Sequence, residues 1–360
     1  MRSMKKVTEG LTRLVMGSPL DKTVISCQYF KDFMRFMIDN RIFNGIALGI
    51  NPCSIEWRIL AYYLLSVGNS MIDGDFKNFD ANILYQIDVA WLRVVEAYYS
   101  NSTDEERLVR SVILHDTAHS RHLVTIGMKS YIAGISNICP SGDVLTGIKQ
   151  SGCNIIISRY AVMDLLMRRD GYLNGIDDYD ESVPFNFDEL EWNKFIALGD
   201  DHIMSVCEPH SDTVNQKTFG EAVGRMGFIY TDAKKTGELI EGHRPLADVS
   251  FLKRGFSKIE FYLGEIFAPL DLDVILQMPY WLDSKAPPGT LESVIDGVAR
   301  ELAARPGDYS HYGPLIGRAT LDTIGYRCPL LPINTDVEEI STTWRRAIEA
   351  YRSSEVEYSL

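Results

Sequence analysis

Between Lys194 and Cys207 the chain reads KFIALGDDHIMSVC. Two short apolar runs close on a glycine and two adjacent aspartates. Each run is too short for a helix, and Gly and Asp suit turns, so the stretch reads as a strand, a tight turn and a returning strand. That hairpin has buried flanks and a tip carrying two carboxylates, Asp200 and Asp201. Crowded carboxylates repel one another and resist ionising together unless a cation lies between them. Mg²⁺ is a hard ion that takes oxygen ligands, commonly one or two carboxylates together with phosphate oxygens. An ordinary hairpin turn remains the plainer reading until a further carboxylate is found.

One comes from MIDGDFKNFDANIL, residues 71–84. Its apolar start reads as a strand end running on into a helix, with Asp75 at the strand end and Asp80 past the turn. Asp73 lies two residues before Asp75 and shares its strand face. Spacing from the neighbours therefore leaves open which of the two is the ligand. The structural alternative is acidic residues placed favourably at a helix N-terminus. Further on, CPSGDVLTGIKQSGCNIIISRYAVMDLLMRR, residues 139–169, opens with a turn and continues as a long helix. Ser141 and Gly142 in that turn offer backbone N–H groups and a hydroxyl, natural partners for phosphate and ribose oxygens. The plainer reading is a helix start with serine as its cap.

In order, D-x-x-x-x-D at 75–80, P-S-G-x-x-x-T at 140–146 and G-D-D at 199–201 resemble the RNA-dependent RNA polymerases of picorna-like positive-strand RNA viruses. GINPCSIEW at 49–57, TDAKKT at 231–236, FLKR at 251–254 and MPYWL at 278–282 are similar to the dicistrovirus and iflavirus branch. The resemblance implies an α+β fold with right-hand polymerase architecture: an antiparallel palm sheet packed on helices, a mainly helical thumb and partial fingers. It divides the chain into partial fingers (1–66), palm with the first motif (67–83), a fingers/palm insertion (84–138), palm with the second to fifth motifs (139–258) and thumb (259–360). The spacing to Asp80 selects Asp75 over Asp73. Asp75 and Asp200 are then implied as metal ligands, with Asp201 an auxiliary carboxylate, for two Mg²⁺ ions, with Mn²⁺ an alternative. The implied chemistry is two-metal nucleotidyl transfer from ribonucleoside triphosphates.

The same resemblance places Asp80, Ser141, Gly142 and Thr146 at the incoming nucleotide, where a 2′-hydroxyl distinguishes RNA from DNA precursors. Position 150 departs from the family's asparagine: it is Gln150, which keeps the amide but adds a methylene. Asn154 is displaced by about 6 Å along a helix axis and is a poor substitute for that sugar contact. Lys6 and Arg13 in KVTEGLTR match triphosphate contacts of the fingers. Lys235, chosen over Lys234 by counting from Gly227, matches the lysine that protonates pyrophosphate. Lys253 and Arg254 match a primer-grip hairpin facing the primer backbone. Implied partners are an RNA template and primer, ribonucleoside triphosphates and a genome-linked protein primer. The implied setting is the host cytoplasm, at membrane-associated replication complexes.

Net charge is −13, which alone argues against a general nucleic-acid binder, because counterion release needs Lys and Arg against phosphate. An acidic body around one basic channel reconciles the two. Six scattered cysteines without a C-x-x-C pair read as reduced thiols. No apolar run approaches the roughly 20 residues of a membrane span, and the start has no signal-peptide core. HDTAHSRH puts His115, His119 and His122 at ligand-like spacing, but no acidic or thiol partner completes a site. YQIDVAWLRVVEAYY has the helical spacing of core packing rather than of a nucleic-acid platform. Family members are usually longer at the N-terminus, so the chain is expected to be a truncated piece. Two rivals follow: a non-catalytic RNA-binding remnant, favoured by the truncated start and Gln150 but disfavoured by the intact Asp75, Asp200 and Asp201, and a reverse transcriptase, disfavoured by Asp80 and the Pro-Ser-Gly turn.

Overall fold

The computed structural model describes residues 16–126, 128–173, 185–233, 237–259, 264–283 and 285–353, and in it the hairpin expected at 194–207 is present. It pairs β4 (Lys194–Leu198) with β5 (Asp201–Ser205), from Leu198 opposite Asp201 to Lys194 opposite Ser205. Gly199 opens the turn at φ +64°. A side chain there is strained, which is why tight hairpin turns favour glycine at this place. β1 (Met71–Phe76) lies beside β5, and β6 (Tyr230–Asp232) pairs antiparallel with β1, giving the sheet order β4-β5-β1-β6. The outer side of β4 is not bare: Ala197 donates its N–H to the Gly45 carbonyl at 2.8 Å and its carbonyl accepts from the Ala47 N–H at 2.9 Å, a common way to blunt a sheet edge.

The described residues form two compact units. The first lies within Met1–Gly49 and Gly74–Gly242. It holds α1 (Leu20–Asp39), α3 (Tyr85–Tyr98), α4 (Asp104–Ala118), the β2–β3 hairpin (Arg121–Ile126 and Lys129–Gly134), α5 (Thr146–Arg169) and α6 (Gln216–Arg225). α5 is its spine, packing on β4, α3 and α6. Trp91 of α3 is 2% exposed, and burial of so large an apolar side chain contributes about 1.5–3 kcal/mol. A Cβ at Gly152 would lie 2.5 Å from its ring, so that glycine lets the two helices close. Core packing thus accounts for the aromatic stripe of α3. α4 starts at a capping box, Thr103 with Glu106, and α6 at another, Asn215 with Thr218.

The second unit lies within Ile50–Asp73 and His243–Leu360. It contains α2 (Ile55–Leu65), α7 (Leu272–Gln277), α8 (Thr290–Ala303), α9 (Pro306–Ile324) and α10 (Val337–Arg352). Its core gathers Val298, Leu302, Tyr309, Leu331, Ile348 and Tyr351. Trp57 of α2 stacks on Phe251 and Phe256. Among the described residues no helix is long and apolar enough to cross a membrane. The fold is α+β, with an antiparallel sheet and many helices, as expected.

Candidate active site

β1 is buried along its whole length. Alternation sends Asp73 and Asp75 to one face and Gly74 to the other. On the Gly74 side the ring of Tyr230 crosses beneath the strand: a Cβ at position 74 would sit 2.1 Å from Tyr230 Oη. Tyr230 Oη shares a 3.3 Å hydrogen bond with His202 Nε2. The rings of Phe76 and Phe219 pack against the same imidazole. His202 Nδ1 is buried without a hydrogen-bond partner. Protonation would place a cation among these rings, and burial pushes the pKa of His202 down to about 3.

That shift makes a pH prediction. The unfolded histidine takes up a proton near pH 6.5, while the folded one refuses it until about 3. Stability from this group is therefore complete above about pH 6.5 and is lost as pH falls toward 3, at about 1.4 kcal/mol per pH unit. Between pH 7.5 and 5 the denaturant-unfolding free energy is expected to fall by about 2 kcal/mol more in the native chain than in His202→Phe. Parallel pH profiles of the two proteins would refute this.

The two aspartates on the other face of β1 have different fates. Asp73 is 1% exposed. Arg244 Nη1 reaches its Oδ1 at 3.2 Å, and the Ser250 N–H donates to its Oδ2 at 3.1 Å. Its carboxylate thus serves an internal ion pair. Asp75, buried, instead meets the hairpin tip. Ligand oxygens of Asp75, Asp200 and Asp201 all lie within 4.8 Å of one another, with Asp200 exposed and Asp201 half-buried. Among the described residues this is the one set of three or more His, Cys, Asp or Glu so arranged. An all-oxygen, all-carboxylate donor set suits a hard divalent cation such as Mg²⁺ or Mn²⁺.

Beside this cluster, backbone hydrogen bonding draws the nucleotide-site candidates together. Asp80 is exposed in a 3₁₀ turn, Phe79–Ala81, and its carbonyl accepts from the Cys139 N–H at 2.7 Å. That brings the Asp80 backbone to within two residues of Ser141. The turn at 140–146 differs from expectation. Ser141 and Gly142 do not open the helix: α5 begins at Thr146. Leu145 is the N-cap and no side chain caps the helix; Asp143 orders the turn before it, its Oδ1 accepting from the Leu145 N–H at 2.9 Å. The Gly142 N–H is not offered to solvent, since it donates to the Met16 carbonyl at 3.0 Å. A Cβ on Gly142 would stand 2.4 Å from that carbonyl oxygen, so close backbone approach requires glycine. Thr146 donates its hydroxyl back to the Pro140 carbonyl.

Two further residues of α5 reach this site: Ser151, which the sequence reading passed over, and Asn154, which it weighed only for the sugar contact. Ser151 Oγ accepts from the Gly199 N–H at 2.9 Å, and Asn154 Nδ2 donates to the carbonyls of Gly199 and Asp200 at 3.0 and 3.2 Å. Asn154, weighed in the sequence only for the sugar, lands on the Gly-Asp-Asp turn. Gln150 also leans toward this turn: its Oε1 lies 3.5 Å from where a Cβ of Gly199 would stand. Small polar residues at 151, 154 and 158 on one face of the helix were the available signal.

Phe251 and Arg254 close a tight turn with Leu252 and Lys253 at φ +54° and +60°. Lys253 is exposed. Arg254 was expected to face a primer backbone beside it, but its guanidinium forms two 2.9 Å bonds to Glu301 and donates to the Ala268 carbonyl at 2.7 Å. A paired, largely buried guanidinium has its charge already met, so this structure gives Arg254 a scaffolding part. The rings of His115 and His119 pack together at 4.6 Å, and His122 Nε2 bonds Ser120 Oγ at 2.7 Å. They form no metal set. Lys6, Arg13 and Lys235 lie outside the described residues.

This chain belongs to the viral RNA-dependent RNA polymerases: that family's profile matches residues 1–312. Over 285 residues it is 30% identical to the replicase polyprotein of acute bee paralysis virus (strain Rothamsted), a match covering 78% of this chain and 14% of the polyprotein. Over 288 residues it is 29% identical to the replicase polyprotein of Drosophila C virus (strain EB), covering 78% of this chain and 16% of the polyprotein. The chain therefore spans about one-sixth or less of the length of these relatives. Among solved structures it resembles the Sicinivirus 3Dpol RNA dependent RNA polymerase with a TM-score of 0.68 at 17% identity, covering 97% of this chain and 66% of that one. At that identity the likeness speaks for the fold.

Proposed function

We propose that this chain is the catalytic domain of an RNA-templated RNA polymerase that replicates a viral genome. It transfers nucleotidyl units from ribonucleoside triphosphates to an RNA 3′ end. The bond from the 3′ oxygen to the α-phosphorus forms as the α-phosphorus-to-bridging-oxygen bond breaks, and pyrophosphate leaves. The observation that carries this reading is the meeting of Asp75, Asp200 and Asp201 in a chain of this family. Asp75 and Asp200 would hold Mg²⁺, with Asp201 auxiliary. Bound Mg²⁺ supplies Lewis-acid activation of the 3′-hydroxyl and neutralises the triphosphate.

The chain's own groups do the rest. Asp80 and Ser141 read the ribose from adjoining segments, with Gln150 in place of the usual asparagine and Gly142 and Thr146 shaping the turn. Lys6 and Arg13 hold the triphosphate, and Lys235 protonates the departing pyrophosphate. Lys253 contacts the primer backbone. The partners are template and primer RNA and a genome-linked protein primer, at membrane-associated complexes in the host cytoplasm. The test is incorporation of labelled ribonucleotides on a primed RNA template with Mg²⁺, with deoxyribonucleotides as competitors. Template-directed incorporation preferring ribonucleotides is expected. RNA binding without incorporation would instead favour the non-catalytic remnant.

A further inference from the structure

The clamp on the hairpin tip has a consequence for metal binding, which rests on the polymerase reading above. A two-residue turn is normally fixed only by its own ladder. Here three backbone groups of Gly199 and Asp200 are tied to one face of α5, through Ser151 and Asn154. Ser151 passes its own hydroxyl proton to the Gly147 carbonyl at 2.7 Å. Ser158 Oγ donates to Asn154 Oδ1 at 3.2 Å, so both ends of the amide are engaged. Only the amide NH₂ can serve two carbonyls, which fixes its orientation. Ser151 and Asn154 are fully buried and Ser158 is 1% exposed, so water does not replace these bonds.

The two tip carboxylates are held by different means. Asp201 is already in the ladder, opposite Leu198, whereas Asp200 lies in the turn. With its carbonyl drawn toward Asn154, the Asp200 peptide plane is set, and with it the direction of the side chain. Asp200, Asp201 and Asp75 repel one another before a cation arrives, and a loose turn would relieve that repulsion by swinging Asp200 away. We propose that Asn154, oriented by Ser158 and assisted by Ser151, is a positioning residue that keeps the Asp200 carboxylate in the metal-binding arrangement.

The test measures Mn²⁺ binding to the full 360-residue chain by electron paramagnetic resonance, alongside nucleotide incorporation and unfolding. Asn154→Ala is expected to weaken Mn²⁺ binding about 10–100-fold, the usual loss when a group orienting a metal ligand is removed. kcat should fall with it more than the nucleotide KM changes. Ser158→Ala removes only the bond that orients the amide, and should give a several-fold loss with unfolding unchanged. Ser151→Ala frees only the Gly199 N–H and should give a smaller loss of Mn²⁺ affinity than Asn154→Ala, again with unfolding little changed. Native Mn²⁺ affinity in folded Ser158→Ala and in folded Ser151→Ala would overturn the proposal, even if Asn154→Ala does not fold. An Asp200-dependent Mn²⁺ site that follows Asn154, in a chain that incorporates no nucleotide, would support the clamp while sinking the polymerase reading.

Discussion

Asp200→Asn and Asp75→Asn are each expected to reduce Mg²⁺-dependent nucleotide incorporation by at least about 10²–10³-fold, the loss typical of removing one preorganised charge-stabilising group. Asparagine keeps the shape of the side chain while removing its charge, so a large loss cannot be assigned to packing. Asp201→Asn is expected to do less harm, because Asp201 is anchored in the ladder and the auxiliary carboxylate in the proposed mechanism. The decisive comparison is with Asp73→Asn. Asp73 shares the strand face of Asp75, yet its oxygens are taken by Arg244 and the Ser250 N–H. Its replacement should leave Mn²⁺ binding intact and lower stability by about 1.5–3 kcal/mol, the worth of a hydrogen bond to a charged group. Single-turnover incorporation and denaturant unfolding on the four variants check this. Loss of metal binding in Asp73→Asn with retention in Asp75→Asn would reverse the assignment.

That pair of aspartates shows what a sequence can and cannot reveal. Period-two alternation placed both on one face, and the Gly-Asp-Asp turn placed the hairpin, because each of those facts is local. Only the motif spacing to Asp80 picked out Asp75; what physically occupies Asp73 is an arginine at position 244 and a backbone N–H at position 250, both remote in the chain. Arg254 is a second case, since its partner Glu301 lies in α8. Position within FLKR says nothing of that carboxylate. The start of α5 was misjudged for a different reason. Ser141 looks like a cap, but Gly142 spends its N–H on Met16, Asp143 orders the turn, and the helix begins only at Thr146. The Ser151, Asn154 and Ser158 stripe was visible as a pattern, but it acquires meaning only when β4 and β5 lie across it.

Lys149→Met is expected to destabilise the first unit by about 3–5 kcal/mol, the cost of leaving a buried charge without its partner. Lys149 of α5 and Asp88 of α3 are both fully buried, with Nζ to Oδ2 at 3.0 Å. Burial raises the Asp88 carboxyl above its ordinary pKa, and the Lys149 ammonium only partly offsets that. Removing the ammonium leaves desolvation unopposed, so the folded carboxyl titrates higher still. The penalty is then present above the unfolded carboxylate pKa near 4, and it shrinks as pH falls toward that value and Asp88 becomes neutral. The double variant Asp88→Leu/Lys149→Met removes both charges and should recover most of the loss, because desolvating two ions roughly cancels their attraction. Urea unfolding of the single and double variants at pH 5 and 8 measures both effects. Lys149 also borders the residues that grip the hairpin tip, so the single variant should lose incorporation beyond what its folded fraction explains, and the double variant should regain it. If the double variant regains stability without activity, the ion pair sets the position of α5 and not merely its attachment to α3.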